Sequence, residues 1–247
     1  MSLSFEESVR FIQGINALPA AGISADAATI SGASDAAVAA GSSVAFVSDL
    51  DSQMKADVLN STLLAQINSD FLHDRETDPR SWYNTYLQTL MVVGWEVKEF
   101  DFTLIRDTDN FLTGEELFLD YVSKYMPQRE FDLFRKMMTA LQQPQNSDAS
   151  KLLDDQARNL KMSNWQAGVV SNQGGNPSFK INAFLCSASW TLEHAIFFKL
   201  RQGGGDIEIS AEHQEMYLDL AKYSQYRALV LGQLGNNAQL LVRDIDI

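Results

Sequence analysis

The sequence predicts an α/β domain of the α+β type, a single unit over residues 1–247 in which helix pairs surround a mainly antiparallel sheet in three layers. Three observations carry that prediction. Apolar residues recur at helical spacing in two successive pairs of segments between Gln53 and Leu141. From Trp165 onward the apolar positions alternate in twos, with glycine-rich turns between the runs. Pro79, Gly94, Pro127 and Pro144 stand where those helices have to begin or end.

Residues 4–16 read as a short amphipathic helix, with Phe5, Val9, Ile12 and Ile15 on one side and Glu6, Glu7 and Arg10 on the other. Over 17–43 alanine, serine and glycine dominate with few larger apolar anchors, so a mobile or loosely packed segment is expected. Residues 44–47 read either as a short strand or as the start of a helix. Asp51 or Ser52 is placed to cap a helix over 53–72, where Leu59, Leu63, Ile67 and Phe71 repeat every four residues beside Val58 and Leu64. Asp78 caps the next helix, and Pro79 suits its first position, where the missing N–H costs nothing. Trp82, Tyr86 and Leu90 form one ridge of that helix and Tyr83, Leu87 and Met91 another, with Gly94 placed to end it in a left-handed conformation.

A strand is predicted over Trp95–Ile105. The alternation of Trp95 and Val97 changes frame before Phe100, Phe102 and Leu104, which places a β-bulge at Lys98 or Glu99. Thr113 and Glu116 make a capping box ahead of Leu117, Phe118, Tyr121, Val122 and Tyr125. After Pro127, Phe131, Phe134, Met138 and Leu141 stripe a further helix, and 145–163 holds a short one through Leu152, Leu153 and Ala157. A meander follows: Trp165, Ala167 and Val169, a turn at 174–177, then Phe179, Ile181, Ala183 and Leu185. A third strand is expected over 192–200, turning through Gly203, Gly204 and Gly205 into 207–209. Ser210 is expected to cap a last long helix carrying Met216, Leu220, Tyr223 and Leu231, before a terminal strand over 240–247.

With 45% hydrophobic and 21% charged residues, the composition is that of an ordinary globular protein. A net charge of −13 has the wrong sign for a nucleic-acid partner, and it leaves a protein partner or a lipid or membrane surface that is not anionic. The start of the chain lacks the basic and apolar regions of a secretory signal, and no later segment is a long uncharged apolar run. A cytoplasmic or leaderless exported protein is therefore expected.

Candidate chemistry is sparse. Cys186 is the sole cysteine, which excludes an internal disulfide and a cysteine-based zinc site. A three-residue connection at Ser189, Trp190 and Thr191 would set Cys186 opposite His194 on neighbouring antiparallel strands, where imidazole activates a thiolate. The bland reading of Cys186 is core packing. Asp107, Thr108, Asp109 and Asn110 resemble the start of a calcium loop, but Leu112 and Phe118 occupy the places that need glycine and a bidentate glutamate. His73, His194 and His213 are too scattered for a metal site, and no metal or cofactor is expected. Asn60-Ser61-Thr62 matches a glycosylation acceptor only within a predicted helix. The aromatic run Trp82, Tyr83, Tyr86 and Trp95 lines either the core or a ligand cavity.

The order of elements resembles the layered plan of the bacterial cytolytic delta-endotoxins and the related Erwinia virulence factor. The resemblance rests on the helix pair at 59–71 and 82–91, the strand from Trp95, the pair at 117–125 and 131–141, and the meander from Trp165. It implies helix hairpins able to leave a sheet and a soluble form that meets lipid. It also implies that Cys186, the sole cysteine, is the residue available to carry a fatty acyl chain of the kind that virulence factor bears. The expected function is non-enzymatic binding of an apolar ligand or membrane, as a virulence or cytolytic factor. A protein-interaction module is the alternative, and acyl transfer or hydrolysis by Cys186 and His194 is the third reading.

Overall fold

A computed structural model of the chain describes residues 3–16, 32, 34–75, 77–105, 112–158, 161–200 and 207–247, with the backbone path alone over 98–103. Among the described residues, seven strands form one mixed sheet with helices on both faces. In chain order the elements are α1 (Phe5–Gln13), β1 (Ala36–Ala39), β2 (Ser42–Phe46), α2 (Ser52–Leu72), α3 (Pro79–Val93), β3 (Trp95–Ile105), α4 (Gly114–Ser123) and α5 (Gln128–Leu141). They continue as α6 (Ser147–Ala157), β4 (Met162–Gln173), β5 (Asn176–Ala188), β6 (Ile207–Leu218), α7 (Leu220–Leu234), α8 (Asn237–Leu241) and β7 (Val242–Asp244). The strand order is β3-β6-β5-β4-β2-β1-β7, and among the described residues only the β2–β4 pair is parallel.

Two cores follow from the alternation of side chains across the strands. One face packs Phe46, Val170, Phe179, Ile181 and Met216 against α1, α2, α3 and α7. The other packs Trp165, Val169, Phe184 and Ile209 against α4, α5 and α6. A sheet covered on both sides buries residues on both of its faces, including the polar Gln166, Asn182 and Gln214. Three layers are thus the observed architecture, as the sequence predicts.

Local signals account for the element ends. Ser4 and Glu7 close a capping box on α1, and Thr113 and Glu116 close another on α4. Asp51 and Asp78 cap α2 and α3 by accepting from Met54 and Ser81. Gly94 ends α3 at φ 117°, the left-handed region that a side chain would resist. In the β3–β6 ladder Val97 faces Met216 and Glu99 faces Glu215, so Lys98 is the extra residue of the expected bulge.

The described part of the 17–43 stretch, from Ser34 onward, is packed and not loose. Ala36–Ala39 and Ser42–Phe46 pair as a hairpin whose residues are all buried. Small side chains there let α2 sit close: Gln66 of α2 reaches the turn, accepting from Gly41 N at 3.0 Å and donating to Ala39 O at 2.9 Å. The remainder of that stretch, apart from Gly32, lies outside the described residues.

Three expectations in the last third are corrected. Residues 192–200 form no strand; Leu192, Ala195, Ile196, Phe198 and Leu200 are buried against the α4 side in irregular backbone. Side chains satisfy that backbone in place of a ladder, with Asp154 accepting from Ala195 N at 2.7 Å, Arg158 donating to Leu192 O at 3.0 Å and Ser163 to Ala195 O at 2.6 Å. Ser210 does not cap a helix. It lies inside β6, which runs on to Leu218, and Asp219 caps α7 by accepting from Lys222 N at 3.0 Å. The terminal strand is also shorter than expected, because 237–241 is the helix α8.

Candidate functional site

Helix α3 is fastened at its start. Arg75, in the connection from α2, donates to both carboxylate oxygens of Asp70 at 3.0 and 3.2 Å. Its guanidinium lies over the Trp82 ring at 4.2 Å from the centroid, and the Trp82 indole N–H donates to the same carboxylate at 2.6 Å. Arg75 also reaches β4, donating to the Asn164 carbonyl at 3.4 Å, while the Asn164 side-chain amide donates to the Arg75 carbonyl at 3.3 Å. One end of α3 is therefore tied to the sheet at Asn164.

Beside that tie, α3 and the sheet enclose a cleft of about 560 Å³ that is open to solvent on one side. Its roof is Pro79, Arg80, Tyr83, Asn84 and Leu87 from the first turns of α3, and its floor includes Asn164, Ala183, Leu185, Ser210 and Glu212. The floor follows from register. Asn164, Leu185 and Ser210 lie side by side on β4, β5 and β6, as do Gln166, Ala183 and Glu212 in the next row. The Ala183 methyl between two long polar side chains leaves the hollow. The lining is mostly apolar with a few polar groups, and its size suits a small-molecule ligand.

The deep side of this region holds polar atoms that nothing satisfies. The hydroxyl of Tyr86, Nε2 of Gln166 and both amide atoms of Gln214 are buried without a hydrogen-bond partner, whereas the Tyr83 hydroxyl and the Glu212 carboxyl are side-chain partners of each other. Gln166 spends only its Oε1, which accepts from Ser42 at 2.8 Å. Burial raises the pKa of the Glu212 carboxyl above the ordinary carboxylate value. Burial first, and then the negative Glu212 close by, raises that of the Tyr83 phenol.

The sequence-predicted pair is not brought together. Cys186 is wholly buried on β5, and its cross-strand neighbours are Ser163 and Ile209, not His194. Burial also pushes the Cys186 thiol well above its usual pKa, which suppresses the thiolate. His194 lies in the irregular 192–200 segment, half exposed, with Nδ1 at 2.8 Å from Asp154 Oδ2. His73 meets Thr85 at 3.0 Å, and His213 meets Asn182 at 2.9 Å and stacks on Tyr125. Among the described residues, no group of three or more His, Cys, Asp or Glu side chains could hold a metal ion.

Asn60, Ser61 and Thr62 are buried in α2. Asp107 to Asn110 and the glycines Gly203 to Gly205 lie outside the described residues. Of the aromatic run, Trp82, Tyr86 and Trp95 are core, and Tyr83 lines the cleft. Sequence reasoning missed Arg80, Asn84, Asn164, Ser210 and Glu212. The signal for the last two was the alternation of Ile207, Ile209 and Ala211 with Ser210 and Glu212, readable once 207–218 is taken as a strand.

No family model matches the chain, and no curated protein of similar sequence was found. Among solved structures the chain is similar to that of the Evf virulence factor, with a TM-score of 0.34 and 11% identity over 93% of this chain and 89% of that one. The likeness is weak and one of architecture, and no residue role passes through it. Among the described residues, no helix is long and apolar enough to cross a membrane.

Proposed function

We propose that the chain binds an apolar ligand in the cleft between α3 and strands β4–β6, without catalysing a reaction on it. The observation that carries this reading is the cleft itself: about 560 Å³, mostly apolar, and roofed by a helix that Arg75 and Trp82 fasten to the sheet. Burying an apolar chain there contributes about 0.8 kcal/mol per methylene, enough for micromolar affinity from a modest ligand. Neither Cys186 nor His194 lines the cleft.

The environment-sensitive dye Nile red is the test. Emission should rise on binding, and Ala183→Phe, which fills the floor, should weaken binding about tenfold or more. Unchanged binding by a variant whose circular dichroism matches the parent would remove the cleft from consideration. A virulence or cytolytic role adds a requirement, that zwitterionic liposomes leak with the parent protein and not with Ala183→Phe. Absence of leakage with the parent discards cytolysis and leaves ligand binding standing.

A further inference from the structure

Strand register shows how far the floor of the cleft reaches. Helix α3 starts beside Asn164 on β4, where Arg75 ties it down, and ends at Gly94, from which the chain turns directly into Trp95 at the start of β3. The helix therefore crosses the sheet obliquely. The other end of β3 lies roughly 30 Å further along that strand, outside the cover that α3 gives. There four residues stand in one row on the cleft face, because Asn164 pairs with Leu185, Leu185 with Ser210 and Ser210 with Leu104, across β4, β5, β6 and β3. The first three line the cleft. Leu104, the fourth, is 45% exposed. The row is thus closed by the Arg75 tie at Asn164 and ends in an uncovered apolar side chain at Leu104.

We infer that the ligand is a single unbranched alkyl chain laid along this row, from the closed end at Asn164 past Leu185 and Ser210 and out over Leu104, so that Leu104 sets the length of chain the site rewards. This rests on the ligand-binding reading above. The row crosses three strand spacings, roughly 14 Å, which an extended chain covers and a compact ligand does not. Its width is limited as well. On β6 the same face carries Glu208 and Glu212 on either side of Ser210, so the path from Leu185 to Leu104 narrows there to one small residue between two acidic ones. Successive same-face residues of a strand are only about 7 Å apart, room for one chain of methylenes. A branch or a ring at that point would press apolar atoms on a carboxyl group, which is unfavourable. Beyond Ser210 the tail meets Leu104, and contact between the two takes apolar surface of both away from water.

Displacement of Nile red by linear octanol, linear dodecanol and the branched isomer 2-butyloctanol, each below its solubility limit, tests the inference. Dodecanol should displace the dye at a concentration about a hundredfold below that needed for octanol, because each further methylene finds apolar surface along the row. The branched isomer has the carbon count of dodecanol and should be about tenfold or more weaker than it. Leu104→Asn alters an exposed position on an edge strand, and should shrink the gain from octanol to dodecanol about fivefold or more. A branched isomer as effective as dodecanol would overturn the single chain, and a gain in Leu104→Asn equal to that of the parent would overturn the path over Leu104. Failure of the dye to bind the parent protein at all would instead overturn the ligand-binding reading on which both stand.

Discussion

Replacing Arg227 with alanine is expected to cost about 3–5 kcal/mol of folding stability, because it strands a buried charge. Asp57, on α2, has a side chain only 1% exposed, and Arg227 from α7 meets it with two hydrogen bonds, Nε to Oδ1 at 2.8 Å and Nη2 to Oδ2 at 2.6 Å. Gln53 gives the same carboxylate one further donor at 2.9 Å, too little to replace a full positive charge. The hydrogen bond to Asp57 also raises the pKa of Arg227, so the guanidinium keeps its charge. Asp57→Asn should cost less than Arg227→Ala, since the arginine side chain is 32% exposed and can turn to water. Urea midpoints for the two variants check the order. A loss for Arg227→Ala of less than ~1 kcal/mol would make the pair no stronger than an exposed one and refute the argument.

Trp82→Ala should cost about 3–5 kcal/mol for the loss of a buried aromatic ring, and it should weaken ligand binding as well. The indole is 1% exposed, stacks on Tyr86 with centroids 5.6 Å apart, and carries the Arg75 guanidinium on its face. It therefore packs the core and also fixes the end of α3 that roofs the cleft. Trp82→Phe keeps a ring under Arg75 and loses the hydrogen bond to Asp70, so it should retain most of the dye affinity that Trp82→Ala loses. Thermal melts and Nile red titrations, the latter well below the melting midpoint of each variant, separate the two effects. Full dye affinity in a folded Trp82→Ala protein would show that the roof holds without its anchor.

Much of the fold was legible because local chemistry and burial agree along the first two thirds of the chain. The Asp78-Pro79 start, the Gly94 stop and the frame change at Lys98 each have one local cause, and each is where the sequence puts it. The errors arose where burial overrode composition. The run Ile207–Leu218 is rich in Ala, Glu, Gln and Met, which favour helices, yet it forms a strand because the sheet buries both of its faces. Over 192–200 the apolar alternation is real, but Asp154, Arg158 and Ser163 take the hydrogen bonds that a ladder would have used. Reading that run as a strand set Cys186 beside His194. The cleft was illegible for the same reason, since Glu212 faces α3 only if β6 exists.

The parallel pairing of β2 with β4 bears on synthesis. The hairpin β1–β2 joins the rest of the sheet through β4, and the Ser42 hydroxyl meets Gln166 from 124 positions away. At a translation rate of about 5–20 residues per second, the hairpin leaves the ribosome roughly 6–25 s before its neighbour exists. During that interval β2 presents an unpaired edge of small and apolar residues, a template for pairing with another nascent chain. Gln66 of α2 arrives within a few seconds and holds the hairpin turn by its two hydrogen bonds. That glutamine is thus placed to act as a clamp within the growing chain, keeping the edge in register until β4 emerges to cover it.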